Sequence, residues 1–105
     1  MMNHSYEALA LTNQAHQKPW SVVRHNDNGG TEIICGCDEQ STAFERAKRF
    51  NAIRDYMQLD GEQRMALMIM LDVEKQPPSK AYSVCIDYIV EQRVANGEEA
   101  GRMVA

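Results

Sequence analysis

Two stretches of the chain alternate in the manner of strands, and three long ones repeat in the manner of helices. Trp20–His25 is aromatic and β-branched, with Pro19 closing off what precedes it, and it reads as a strand. Asn26-Asp-Asn-Gly-Gly30 concentrates residues that tolerate positive φ and predicts a turn. Residues 31–35, Thr-Glu-Ile-Ile-Cys, then return as the second strand of a hairpin. Two strands alone are marginal in water, so the hairpin must lie on helices.

The first helix is expected over 42–59, opened by a capping box of Thr42 and Glu45. At 100° per residue Ala43, Phe44, Ala47, Phe50, Ile53 and Met57 share one side, while Arg46, Lys48, Arg49 and Arg54 give the rest a basic, solvated character. Asp60-Gly-Glu-Gln63 reads as the N-cap of a second helix running to 74. There Ala66, Ile69, Met70 and Val73 make one compact face, expected to meet the core, and Leu67, Met68 and Leu71 fall elsewhere. Pro77 and Pro78 break that helix. Ser79 is expected to cap a third over 80–96, with Gly97 as its stop. Ser83, Asp87 and Glu91 mark its wet stripe. Tyr82, Val84, Cys85, Ile86, Tyr88, Ile89 and Val90 cover a wider arc than one core contact needs.

The ends carry less pattern. Residues 1–18 are polar except for Tyr6-Glu-Ala-Leu-Ala-Leu11, which reads as a short helix or as part of an arm, mobile or ordered against a partner. Residues 98–105 read as a frayed tail. The expected fold is therefore α+β, a two-stranded antiparallel hairpin packed on three main α-helices, in one domain over 19–97.

Composition adjusts this picture little. In 105 residues, 44% apolar and 25% charged describe a globular chain with one small core. The net charge of −4 sets the chain against a nucleic-acid backbone, so no direct nucleic-acid binding is expected. The longest apolar run, residues 65–71, is too short to span a bilayer, and the first eighteen residues lack a signal-peptide pattern. Three cysteines are too few for a disulfide framework. A cytoplasmic protein with no membrane contact is the expectation.

Candidate chemistry is sparse. Cys35-Gly-Cys37 spaces two thiols for a soft metal, and His25 lies within reach across a hairpin, but no second ligand pair follows. A redox dithiol of the familiar kind has two intervening residues, and this one has a single glycine. Free thiols at a strand end are the expectation, with Cys85 a small hydrophobe in the third helix. His4, His16 and His25 form no metalloprotease motif, and no serine or cysteine sits in a nucleophile elbow. The Asn28-Gly-Gly30 turn joins two strands and is not a phosphate loop. No catalytic residue, cofactor or metal site is assigned, and the chain reads as a non-enzyme.

The methionines point to a surface. Met65, Met68 and Met70 lie within six residues, separated by Leu67 and Ile69, and flexible thioethers suit both core packing and a surface that repacks against a partner. The second and third helices together carry more apolar surface than one small domain needs. The expected partner-binding residues are Leu67, Met68 and Leu71, with Val84 and Tyr88 beside them, and a two-fold homodimer is expected on the same ground.

The hairpin followed by Phe44-Glu-Arg-Ala-Lys-Arg-Phe-Asn-Ala-Ile53 and by Met68-Ile-Met-Leu-Asp-Val73, with Pro77-Pro78 after it, resembles the QslA-type quorum-sensing antiactivators. The resemblance implies a non-enzymatic inhibitor that binds the ligand-binding domain of a LasR-like transcription activator and blocks its dimerisation and DNA binding. A hairpin followed by a helix bearing Phe50-Asn-Ala52 also looks like many small phage and prophage proteins, which implies an anti-defence inhibitor instead. Such an inhibitor would use acidic patches to mimic nucleic acid, and Glu98 with Glu99 are few for that. A small enzyme or metal-binding protein is the third reading.

Overall fold

The computed structural model describes residues 4–11, 18–98 and 101–104. The fold is α+β, with the order β1 (Ser5–Leu11), β2 (Trp20–His25), β3 (Thr31–Cys37), α1 (Gln40–Gln58), α2 (Gly61–Met70), α3 (Pro78–Ala95) and β4 (Gly101–Val104). Contacts divide the chain into two compact units, Met1–Asn51 with Glu99–Ala105 and Ala52–Glu98, the boundary falling inside α1. Each unit has its own buried cluster.

The first unit holds a four-stranded sheet in the order β3-β2-β1-β4. The expected hairpin is its β2–β3 pair. The Asn26 N–H donates to the Gly30 carbonyl at 2.7 Å, the Gly30 N–H to the Asn28 side chain at 2.9 Å, and Gly29 takes φ +88°. That positive φ is the turn geometry which the Asn/Gly run favours.

Two strands were not foreseen. Residues of the expected short helix form β1, antiparallel to β2 with Tyr6 opposite Arg24 and Ala10 opposite Trp20. Its alternation is carried by small residues: Ala8 and Ala10 are buried, and Tyr6 packs on the same cluster. The helix formers Ala, Leu and Glu favour a helix locally, but pairing with neighbours distant in sequence overrides a preference of a few tenths of a kcal/mol, about 0.5 per residue. The expected tail contributes β4, parallel to β1, with Ala8 opposite Gly101. Residues 1–3, 12–17, 99, 100 and 105, parts of the expected arm and tail, lie outside the described residues.

One face of the sheet is closed by the start of α1. Ala43 and Ala47, both fully buried, sit one turn apart and let the helix approach closely, flanked by Phe44 and Phe50. Trp20 meets Phe44 edge-on with ring centres 5.6 Å apart, and Tyr6 stacks on Phe50 at 5.0 Å. Asn51 completes the arrangement. Its side-chain carbonyl accepts from the Tyr6 N–H and its amide donates to the Tyr6 carbonyl, both at 2.9 Å. A primary amide thereby takes the place that a neighbouring strand's peptide would occupy on β1. The helix begins at Gln40, before the expected Thr42, and the Ala43 N–H bonds to the Glu39 carbonyl.

The second unit packs the end of α1 with α2 and α3 around Ala52, Tyr56, Val73, Ala81, Cys85 and Ile86. Asp60 caps α2 in the expected box with Gln63, the two reciprocal bonds being 2.8 and 2.9 Å. The expected capping of α3 by Ser79 is replaced by Pro77 before the helix and Pro78 in its first turn, where a missing N–H costs nothing. At its far end Gly97 takes φ +86°, and the Gly97 and Glu98 N–H groups bond back to Val94 and Arg93. Arg93 is held between Asp55 at 2.6 Å and Glu98 at 2.8 Å, and these acids keep its guanidinium above its ordinary pKa, Glu98 first.

The end of α2 decides which of its faces is inside. The helix stops at Met70 rather than running to 74. Asp72 adopts φ +56°, its N–H bonds to the Ile69 carbonyl, and the Val73 N–H bonds to the Met68 carbonyl. That pair of bonds is a Schellman motif, which turns Val73 back onto Met68 and the core. Asp72→Gly is expected to raise stability by about 1 kcal/mol, because a left-handed conformation strains any side chain. Urea unfolding of the two proteins measures it.

Candidate functional site

Helix α2 pairs an inner face with an outer face that are both apolar. Leu67, Met68 and Leu71 are half-buried and pack on the cluster around Ile86 and Val73. Ala66 is exposed, and Met65, Ile69 and Met70 are 51%, 58% and 58% exposed. The expected phase is therefore inverted: Ala66, Ile69 and Met70 face outward, and only Val73 of the expected core face is buried. The reason is the helix stop. Read as helical, Val73 shares a face with Ile69 and Met70, but the turn at Asp72 removes it from that face. The pattern that would have given the right phase is Arg64, Leu67, Met68 and Leu71, spaced i, i+3, i+4, i+7.

The inner end of this pattern is anchored by polar contacts. Arg64 lies 5.2 Å over the Tyr56 ring and donates to the Met57 carbonyl at 3.1 Å. Tyr56 meets Tyr82 edge-on at 5.3 Å. These contacts fix the rotation of α2 about its own axis, and with it the direction in which Met65, Ile69 and Met70 point. Met57, expected on the inner side of its helix, is 53% exposed.

The remaining expected binding residues lie on α3. Val84 packs on the same cluster and Tyr88 is half-buried on α3, while Ser83, Asp87 and Glu91 form the expected exposed stripe. The wide apolar arc of α3 is mostly used within the unit, and Val94 is its exposed large hydrophobe.

In the first unit, Cys35 and Cys37 sit on the same side of β3, the edge strand of the sheet. The Arg46 guanidinium of α1 reaches both: Nη1 lies 3.7 Å from the Cys35 Sγ and 3.5 Å from the Cys37 Sγ. Burial, and then the neighbouring Cys35 charge, push the Cys37 thiol up, with Arg46 pulling the other way. Cys37 also borders a cleft of about 250 Å3 lined by Lys18, Gly36, Asp38, Glu39, Thr42 and Arg46. His25, weighed as a third ligand beside the two thiols, is elsewhere. His25 pairs with Thr31 beside the turn, whereas Cys37 pairs with Trp20 at the other end of the hairpin, and the His25 ring bonds to Glu7 at 3.0 Å. Among the described residues no three His, Cys, Asp or Glu side chains gather as a metal site, and no helix is long and apolar enough to cross a membrane.

No family model matches the chain, and neither a curated protein nor a solved structure matches it significantly.

Proposed function

We propose that the chain is a non-enzymatic binding protein, an antiactivator that occupies the dimerisation surface of a LasR-like transcription activator and so keeps it from DNA. The docking surface is the outer face of α2, with Met65, Ile69 and Met70 as its anchors. This takes the place of Leu67, Met68, Leu71 and Val84, which pack on the unit's own cluster, and of Tyr88, which is half-buried on α3.

The observation that carries the reading is three large hydrophobics, each more than half exposed, side by side on a helix whose opposite face is already packed. Clustered exposed apolar side chains mark association surfaces. Thioethers, being flexible, fit a partner surface shaped for a different occupant. Homodimer interfaces are as a class more apolar than the rest of a protein surface, which is the complement this face requires. The acidic-mimic reading is less well supported, because Glu98 is neutralised by Arg93 at 2.8 Å.

The test is titration of the full chain with the purified ligand-binding domain of a LasR-like activator, followed by calorimetry. The wild type is expected to bind, and Ile69→Asp to weaken binding about a hundredfold, the scale of a single anchor. Equal binding by the variant, or none by the wild type, overturns the proposal. So does light scattering in which this face closes only on a second copy of the chain.

A further inference from the structure

The geometry points to a second activity, independent of docking: Cys35 and Cys37 form a thiol–disulfide exchange site for low-molecular-weight disulfides. Three features of the first unit build it. The two sulfurs share one guanidinium, Arg46 Nη1, at 3.7 and 3.5 Å. A cation in that position stabilises a thiolate on whichever sulfur loses its proton. The two thiols also differ in access, since Cys35 is half-buried and Cys37 is buried.

The third feature is the backbone between them. Residues two apart on an extended strand share a face, but their Cβ atoms stand farther apart than the ~3.8 Å a disulfide prefers. Closing the pair therefore requires the strand to bend. Here the bend falls on Gly36, at the C-terminal end of β3, an edge strand hydrogen-bonded to β2 alone. A disulfide closed under such strain is readily reduced, which suits exchange and not a permanent crosslink.

The steps balance. Cys35 loses its proton to solvent, and its thiolate attacks one sulfur of the small disulfide. A Cys35 mixed disulfide forms and one small thiolate leaves. Cys37 then gives up its proton and attacks the Cys35 Sγ, expelling the second small thiolate. The two released thiolates take up the two protons. The protein dithiol is oxidised to one disulfide, and one small disulfide is reduced to two thiols. Cys37, shielded and held above its ordinary pKa chiefly by burial, stays protonated until the mixed disulfide is beside it.

The experiment treats the reduced full chain with glutathione disulfide, alkylates the remaining thiols, and reads intact mass and peptide maps. The wild type is expected to lose two hydrogen atoms, with the bridge mapped to Cys35 and Cys37, and dithiothreitol restores it. Cys85 in the second unit, fully buried and raised by burial, is the internal control and is expected to be alkylated only after unfolding. Cys37→Ser traps a glutathione adduct on Cys35. Arg46→Gln slows the first step, because the cation beside the attacking sulfur is gone. Cys35→Ser leaves Cys37 unmodified, and this exposed-side change keeps the test available if Cys37→Ser fails to fold. A persistent glutathione adduct on wild-type Cys35, an unchanged rate in Arg46→Gln, or Cys35 reacting no faster than Cys85 overturns the proposal.

Discussion

Met68→Asp or Leu71→Asp unfolds the second unit, whereas Ile69→Asp leaves its melting within about 0.5 kcal/mol of wild type. The difference rests on a single residue step around the same helix. Met68 packs on the core, and its carbonyl accepts the bond that turns Val73 inward, so both ends of the Schellman contact meet at this position. An aspartate there loses the transfer free energy of the methionine and sets a charge among Val73, Ile86 and their neighbours. The expected cost is about 3–5 kcal/mol, a large share of the stability of so small a unit. Ile69 is 58% exposed, and a charge at that position stays in water. Urea unfolding of the three variants beside wild type, followed by circular dichroism, reads the contrast. A stable Met68→Asp beside a collapsed Ile69→Asp would mean that α2 presents its other face to the core.

Asn51→Leu is the second large effect, expected to destabilise the sheet unit by about 2–4 kcal/mol. Asn51 is 2% exposed and makes both of its 2.9 Å bonds to one residue's backbone. Leucine matches the amide in size and leaves the Tyr6 N–H and carbonyl without the partners they have now, a penalty of about 1–3 kcal/mol for each group kept from water. Asn51→Asp distinguishes this account from simple packing loss. An ionised aspartate still accepts from the Tyr6 N–H but opposes the Tyr6 carbonyl with a second acceptor. Protonation restores the missing donor, so the folded state raises the carboxyl pKa of the variant. Stability of a group so raised is present at low pH and lost as pH rises through the folded-state value. The Asn51→Asp protein is therefore expected to gain stability relative to Asn51→Leu as the pH is lowered. Melting curves of the two variants at several pH values measure it, and parallel pH profiles would exclude the bidentate role.

What could be read in advance was what is written locally. The turn over 26–30, the Asp60–Gln63 box and the Gly97 stop each depend on residues within one turn of one another, and each was found where the residues placed it. The missing strands depend on partners far away in the chain. Ala8 and Ala10 are buried under β-pairing, but alanine signals helix as readily as strand, and nothing near 101–104 announces a parallel partner. The phase of α2 was missed for a subtler reason. A left-handed aspartate is rare enough that Asp72 was read as one more helical residue, and the phase error followed from it. Asn51 and the Arg46–dithiol contact join a helix to a strand, and no spacing within a single element encodes such a pair.

The sheet's order also has a consequence for the protein's synthesis. β1 is translated about 90 residues ahead of its parallel neighbour β4, with the whole of Ala52–Glu98 between them. At ribosomal rates of about 5–20 residues per second, the interval is on the order of 5–20 seconds. Through that time the edge of β1 that β4 will cover is an open template for other strands, the usual route to misassembly. Asn51 leaves the ribosome well before β4 does, and its amide can already close the adjoining stretch of the same strand at Tyr6, which β4 does not pair with. The edge of β1 is thus closed in two stages, at Tyr6 by a helix side chain and over 8–11 only once β4 has been made.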